Sequence, residues 1–358
     1  MKKKKKIILS FGTRPEIIKL APIIQILKKK RINFKLVHSG QHYSENMSNI
    51  FLEYFNIKKI DYNLKLGLKN NSFNFIKAFS KKFKEILLKE KPDSLIIQGD
   101  TNTCLISALT AKNLKNSNKL NTKIIHVEAG LRSYDKTMPE ESNRITVDHI
   151  SDLLFPPTKI QKKILLKEGI KKPIFVVGST IVDNLKNRKI TTIKKKFFLL
   201  TIHRFENVMN KFRLSKIMNI MKKISNKYGI KVIFPCHPNT QSKIKLYKIK
   251  IDENIKIINP VNYDKFLSYL KSCSVVFSDS GGLQEEACIL KKHLITFRNN
   301  TERPETIQID ANFLSMLNEK KVLNRIKKIT SKKIILKRHP YGNRVSSKIV
   351  NLIIKDEI

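Results

Sequence analysis

Short runs of apolar residues alternate along the chain with longer segments whose apolar positions recur every three to four residues. In the first half the runs are KIILSF, FKLVHSG, SLIIQGD and KIIHVEAG. The segments that follow them are PEIIKLAPIIQILKKK, YSENMSNIFLEYF, TCLISALTAKNL and EESNRITVDHISDLL. Repeated alternation of strand-like and helix-like segments predicts a parallel sheet with helices on both faces. After a weaker stretch from Asp183 to Lys196 the rhythm resumes with FFLLTIH, KVIFPCH, NIKIINP, SVVFSDSG and HLITFR. The pattern predicts an α/β protein of two domains, and 358 residues with 41% hydrophobic content can supply two cores.

The predicted strands end in polar or small residues: Gly12, His38, Asp100, Glu128, His203, His237, Ser280 and Arg298. In open α/β sheets ligands bind outside the carboxyl ends of the strands, so these are the first candidates for chemistry. Two sheets facing one another would bring them to one cleft.

Charge changes this picture less than its size suggests. There are 72 Lys and Arg against 29 Asp and Glu, a formal net charge of +43. Such a balance normally points to a polyanionic partner. Here the excess is mostly Lys, spread through every segment in an Ile-, Asn- and Lys-rich composition, without a nucleic-acid recognition motif. It reads as biased residue usage, and no specific nucleic-acid partner is expected. The basic start runs into a charged turn after only Ile7 to Phe11, too short for a signal-peptide core. No apolar run has the length of a membrane span, so a cytosolic protein without a membrane partner is expected. Cys104, Cys236, Cys273 and Cys288 are widely spaced with no CxxC pair, which suggests neither a zinc site nor a disulfide framework. No HExxH pattern suggests a metal.

Against this basic background HVEAGLRSYDKTMPEESNR sets Glu128, Asp135, Glu140 and Glu141 beside Arg132 and Arg144. IIQGDTNT puts Asp100 at another strand end. Carboxylates in a cation-lined cleft can act as general acids or bases when neighbours tune their protonation. Any single one is equally readable as a helix cap or as the partner of Arg132 or Arg144. In FGTRPEIIK, Thr13 and Glu16 have capping-box spacing, with Pro15 in the first turn. Gly12, Thr13, Arg14 and Lys19 there suit an anion or an ordinary capped helix. SDSGGLQEEA is more specific: Gly281 and Gly282 let backbone N–H groups approach an anion, Ser280 adds a hydroxyl, and Glu286 could accept from a ribose. The alternative is a Gly turn with dipole-matched acids. His203 in IHRFEN and His237 in FPCHPN sit at strand ends, where either role is open.

Taken together, GTRPEIIKLAPII, SGQHYSENM, QGDTNT, HVEAGLRS, MPEESNR, SDSGGLQEEA and RNNTERPETI resemble the non-hydrolysing UDP-N-acetylglucosamine 2-epimerases, in the family's order and over nearly the whole chain. The resemblance implies two Rossmann-like domains in a glycosyltransferase-B arrangement, with the active site in the interdomain cleft. The N-terminal domain would span 1–182, with a C-terminal helix at about 342–358 packed back on it. A UDP-binding domain would span 183–341. It implies a homodimer that interconverts UDP-N-acetylglucosamine and UDP-N-acetylmannosamine, with surface polysaccharide as the usual destination in relatives.

The C2 proton of the sugar is not next to a carbonyl, so one route oxidises C3 with nicotinamide, but the chain has no GxGxxG. The family route eliminates UDP to 2-acetamidoglucal and adds it back, without a cofactor. Matched residue by residue, the resemblance implies Asp100, Glu128 and Glu140 as catalytic carboxylates and His203 as the residue near the diphosphate. It implies Arg14, Lys19 and Arg303 as substrate-site cations, Ser280, Gly281 and Gly282 as the diphosphate cradle, Glu286 at the ribose and Phe266 at the uracil.

Gln41, His42 and His237 match part of an allosteric UDP-sugar site, but GLKNNSFNF between Leu66 and Phe75 replaces the Gly-, Thr- and Gln-containing segment usual in relatives. The nearest alternative is the same epimerisation on another UDP-2-acetamido sugar. A hydrolysing epimerase usually departs from the RPExxK pattern held by Arg14 to Lys19. A glycosyltransferase would not need the three carboxylates, and a Lys-rich nucleic-acid binder would not turn over UDP sugars.

Overall fold

The structure, a computed structural model, describes residues 5–41, 51–57, 59–67, 72–186 and 188–355. It divides into two compact units, Met1–Asn187 with Pro340–Ile358, and Arg188–His339. The strands of the first are β1 (Lys6–Phe11), β2 (Asn33–His38), β3 (Tyr62–Asn63), β4 (Ser94–Gln98), β5 (Lys123–Val127) and β6 (Leu153–Phe155). Those of the second are β7 (Phe198–Thr201), β8 (Val232–Pro235), β9 (Ile255–Ile258), β10 (Val275–Ser278), β11 (Leu294–Thr296) and β12 (Asn312–Leu314).

Every strand pairing among the described residues is parallel. The sheet orders are β3-β2-β1-β4-β5-β6 and β12-β11-β10-β7-β8-β9. Renumbered from its own first strand, the second sheet has the same 3-2-1-4-5-6 order as the first, the Rossmann order. Each unit therefore has one switch point where the winding reverses, between β1 and β4 and between β7 and β10.

Strands covered on both faces are apolar throughout, which explains runs such as Ile7–Leu9, Leu95–Ile97 and Val275–Phe277, all essentially inaccessible. Phe79, Phe83, Leu95, Ile97 and Ala108 share one core, and Phe198, Phe234, Ile217, Met221 and Phe277 another. The helix Val345–Ile354 lies against the helices Arg14–Lys29 and Ile181–Lys186 of the first unit. There the Ser346 N–H donates to Asp183 at 2.7 Å and Lys5 Nζ to the Ile353 carbonyl at 2.9 Å.

Three strands have no counterpart among the sequence runs: β3, β6 and β12. In sequence the apolar pair Leu153–Leu154 continues the period of the preceding helix. That helix stops at Ile150, where Ser151 turns to ψ 147°, and the pair enters the sheet beside β5.

Candidate active site

Gly12 closes β1 where there is no room for a side chain. A Cβ there would lie 2.1 Å from Ser39 Oγ and 2.4 Å from Thr103 Oγ1. Glu16 is buried one turn into the next helix, and its Oε2 accepts the N–H groups of Gly12 at 2.9 Å and Thr13 at 2.8 Å. Its Oε1 accepts from Thr101 Oγ1 at 2.8 Å, so one carboxylate ties the turn after β1 to the turn after β4. Burial pushes its pKa up to about 7, against the opposing pull of these hydrogen bonds. The spacing from Thr13 thus marks a real helix start, and Arg14 is left exposed, its guanidinium 5.3 Å from the centre of the Phe51 ring.

Two of the three candidate catalytic carboxylates lie at adjacent strand ends in this unit. Glu128 follows β5 at φ +74°, a left-handed conformation that costs a non-glycine residue about 1–3 kcal/mol and is held only where the surroundings enforce it. They do: the Glu128 and Ala129 N–H groups bond the Phe155 carbonyl at 3.0 and 3.3 Å. The side chain pairs with the buried Lys19 ammonium and accepts from Gln98 Nε2 at 2.7 Å. Asp100 follows β4 and pairs with Arg144, whose other arm bonds Glu141 at 2.9 Å. Asn143 Nδ2 holds the Asp100 carbonyl at 2.9 Å. Glu140 stands exposed in the first turn of the helix Pro139–Ile150, which carries Asn143 and Arg144.

The remaining charges of HVEAGLRSYDKTMPEESNR are structural. Glu141 is buried and gathers the N–H groups of Ser133 and Tyr134 with the Ser133 hydroxyl, closing the loop before its helix. Asp135 caps a turn through Thr137. Arg132 had been paired in expectation with the site carboxylates. It instead holds buried Asp148 at 2.7 Å and grips Glu168 with two bonds of 2.8 and 2.6 Å. Arg144 does hold a candidate carboxylate.

At the second unit's switch point the acid is Asp279, which nothing in the sequence singles out. Its carboxylate accepts the N–H groups of His203 at 3.1 Å and Arg204 at 3.0 Å and the Asn207 amide at 3.0 Å. His203 Nδ1 lies 3.2 Å away. Burial works against ionisation here, yet the bonds from His203, Asn207 and Arg204 outweigh it and hold Asp279 below the usual carboxylate range. This fixes the half-exposed His203 ring at the end of β7. Ser280 precedes the helix Gly281–Ile289, whose first two residues are glycines. A Cβ on Gly281 would meet Glu302 Oε1 at 2.0 Å, and Glu302 is in turn bonded by Arg298 at 2.8 Å. Further along, Glu286 accepts from the Tyr263 hydroxyl at 2.5 Å, and buried Arg303 faces buried Glu285 at 3.2 Å. Phe266 is half-buried on the helix Tyr263–Ser272.

Gln41 accepts from the Thr103 N–H and hydroxyl at 3.0 and 2.8 Å, and His237 caps the helix Pro238–Leu246 through the Asn239 N–H. His42 and much of the altered Leu66–Phe75 segment lie outside the described residues. All four cysteines are free and buried, with Cys236, Cys273 and Cys288 pushed up to about 12 by burial. Among the described residues no cluster could hold a metal ion, and no helix is long and apolar enough to cross a membrane.

Two Rossmann units of one topology are the fold class of the glycosyltransferase-B proteins. A lipopolysaccharide outer core galactosyltransferase, 12% identical over 99% of this chain and all of its own, shares that fold at a TM-score of 0.61. Residues 25–355 match the family model for UDP-N-acetylglucosamine 2-epimerase. The UDP-N-acetylglucosamine 2-epimerase of Methanocaldococcus jannaschii is 45% identical over 97% of this chain and 98% of its own length. A crystal structure from that organism, described as UDP-GlcNAc 2-epimerase in complex with UDP-GlcNAc and UDP, aligns with a TM-score of 0.87 at 44% identity over 98% of this chain and 99% of its own. The chain belongs to the UDP-N-acetylglucosamine 2-epimerase family and is an isomerase of that family.

Proposed function

We propose that the protein interconverts UDP-N-acetylglucosamine and UDP-N-acetylmannosamine by elimination and re-addition of UDP, working as a cytoplasmic homodimer. A carboxylate removes the C2 proton, the C2–H electrons form the C1=C2 double bond, and the C1–O bond breaks so that UDP departs with its electron pair. UDP then attacks C1 of the resulting 2-acetamidoglucal while C2 takes a proton on the opposite face. The carboxylates for these transfers are Asp100, Glu128 and Glu140, with no assignment of which face each serves.

The observation that carries the reading is Glu128. It keeps a left-handed backbone at a strand end and meets the buried cation of Lys19, an arrangement whose strain makes sense if the position of the carboxylate matters. Asp100 on Arg144 is its counterpart on the next strand. The N–H groups and glycines that begin the helix Gly281–Ile289 suit a diphosphate, with Ser280 and His203 at its edge. Glu286 suits a ribose, Phe266 a uracil, and Arg14, Lys19 and Arg303 the charge of the departing nucleotide. Gln41, His42 and His237 are proposed as part of an allosteric UDP-sugar site, with the altered Leu66–Phe75 segment standing against allosteric activation.

The test is turnover of the purified protein with UDP-N-acetylglucosamine, followed by NMR, alongside a panel of other UDP-2-acetamido sugars. Formation of UDP-N-acetylmannosamine as the fastest reaction supports the proposal. Faster epimerisation of another member of the panel replaces the substrate, and release of free sugar replaces the reaction.

A further inference from the structure

The turn that carries Asp100 is fixed from behind by residues that no proton-transfer role requires. Gly99 leaves β4 at φ +76°, and its N–H bonds the Val127 carbonyl at 3.2 Å. Its carbonyl, part of the peptide unit that enters Asp100, lies 2.9 Å from His126 Nε2. A carbonyl oxygen only accepts, so Nε2 is the donor in that bond. His126 Nδ1 faces Asp148 Oδ1 at 2.7 Å. Asp148 Oδ2 accepts the Gly130 N–H at 3.1 Å, two residues after Glu128, and Arg132 NH1 at 2.7 Å. His126, Asp148 and Arg132 are all buried. Asp148 sits one turn beyond Arg144 on the helix Pro139–Ile150, so the helix that holds the Asp100 side chain also anchors the backbone behind both carboxylates.

We propose that His126, held by Asp148, is a positioning residue for the 2-epimerisation: it aims Asp100 through the Gly99 carbonyl and does not itself touch the substrate. The inference rests on the proposed role of Asp100 in proton transfer. A misplacement of about 1 Å at a reacting group costs on the order of a hundredfold in rate while leaving distant binding contacts alone. The loss on breaking the bond to Gly99 therefore falls on kcat.

Two amide variants separate this role from simple packing. His126→Gln places its amide nitrogen near the position of Nε2 and keeps a donor for the Gly99 carbonyl. His126→Asn places its nitrogen near Nδ1 and keeps only the bond to Asp148. Their kcat, KM, affinity for UDP and melting temperature are compared. His126→Asn is expected to lose about 30- to 100-fold in kcat with KM and UDP affinity within about threefold, and His126→Gln to stay within about fivefold of wild type. Equal kcat losses in the two variants, or losses that follow melting temperature, overturn the proposal.

Should His126→Asn not fold, His126→Phe, which keeps a ring in the packing and neither bond, is expected to show the same kcat-selective loss. Full activity in His126→Phe, or failure of all three variants to fold, also overturns it. Asp100→Asn is the control. If it is fully active, the role of Asp100 has failed. If it is inactive while His126→Asn keeps wild-type kcat, this inference alone has failed.

Discussion

The two switch points share one topology and use their acids in opposite ways. After β1, β4 and β5, Asp100 and Glu128 meet cationic partners, Arg144 and Lys19, while Glu16 and Asp148 stay behind them as backbone anchors. After β7 and β10 the acid deepest in the turn, Asp279, is consumed by donors from its own unit, and what stands exposed is the His203 ring and Gly282. In the proposed reaction one unit moves the proton and the other holds the anion. The fold sets where ligands approach, and the loop residues decide what happens there.

The sharpest way to break the comparison is to exchange charge for amide on each side. Asp100→Asn and Glu128→Gln are expected to lower kcat about a thousandfold or more, about 4 kcal/mol of transition-state stabilisation, with UDP affinity nearly unchanged by calorimetry. Asp279→Asn should do the reverse. It removes the charge that the His203 and Arg204 N–H groups point at, and should weaken UDP binding and lower the unfolding free energy by about 2–3 kcal/mol in a urea titration.

The two buried acids also differ in sign with pH. Glu16 has a folded pKa of about 7 against an ordinary 4.5, so the native state binds the extra proton. Its contribution is complete below pH 4.5 and is lost as pH rises through 7, a change of about 3 kcal/mol. Asp279, held below its ordinary 3.8, contributes above that pH and loses its contribution as pH falls through its lower folded value. Glu16→Gln should therefore flatten the fall in stability between pH 5 and 8 seen by chemical denaturation, while Asp279→Asn leaves that window alone. An unchanged slope in Glu16→Gln would contradict this.

The smallest expected effects separate the glycines. Gly12→Ala must push against Ser39 and Thr103 and should cost about 1–3 kcal/mol. A Cβ on Gly282 meets nothing within 4 Å, so Gly282→Ala should leave stability unchanged or raise it by about 0.5 kcal/mol. If the N–H groups there hold a diphosphate, UDP affinity should fall in that variant all the same, and a fluorescence-monitored melt with a UDP titration reads both.

Much of this was legible in the chain because parallel strands covered on both faces must be apolar, and nine of the twelve strands among the described residues stand out as such runs. The two-residue β3 and the three-residue β6 and β12 carry too little pattern, and Leu153–Leu154 continued a helical period until Ser151 broke it. The outward-facing residues were legible because charge at a strand end is conspicuous. Their supports were not. Glu16 reaches Thr101, Asp148 reaches His126 and Gly130, and Asp279 reaches back to His203, contacts made across the sheet by chain segments distant in sequence. Arg132 illustrates the limit: its place beside Glu128 in the sequence suggested a partner that the turn of the chain gave to Asp148 and Glu168.

The central claim is that C2 of the sugar loses its proton while UDP departs. Turnover of UDP-N-acetylglucosamine in deuterium oxide, followed by proton NMR at C2, tests it most directly. Deuterium is expected at C2 in the UDP-N-acetylmannosamine formed and, at equilibrium, in the remaining substrate. Epimerisation that proceeds with the C2 hydrogen retained would contradict it.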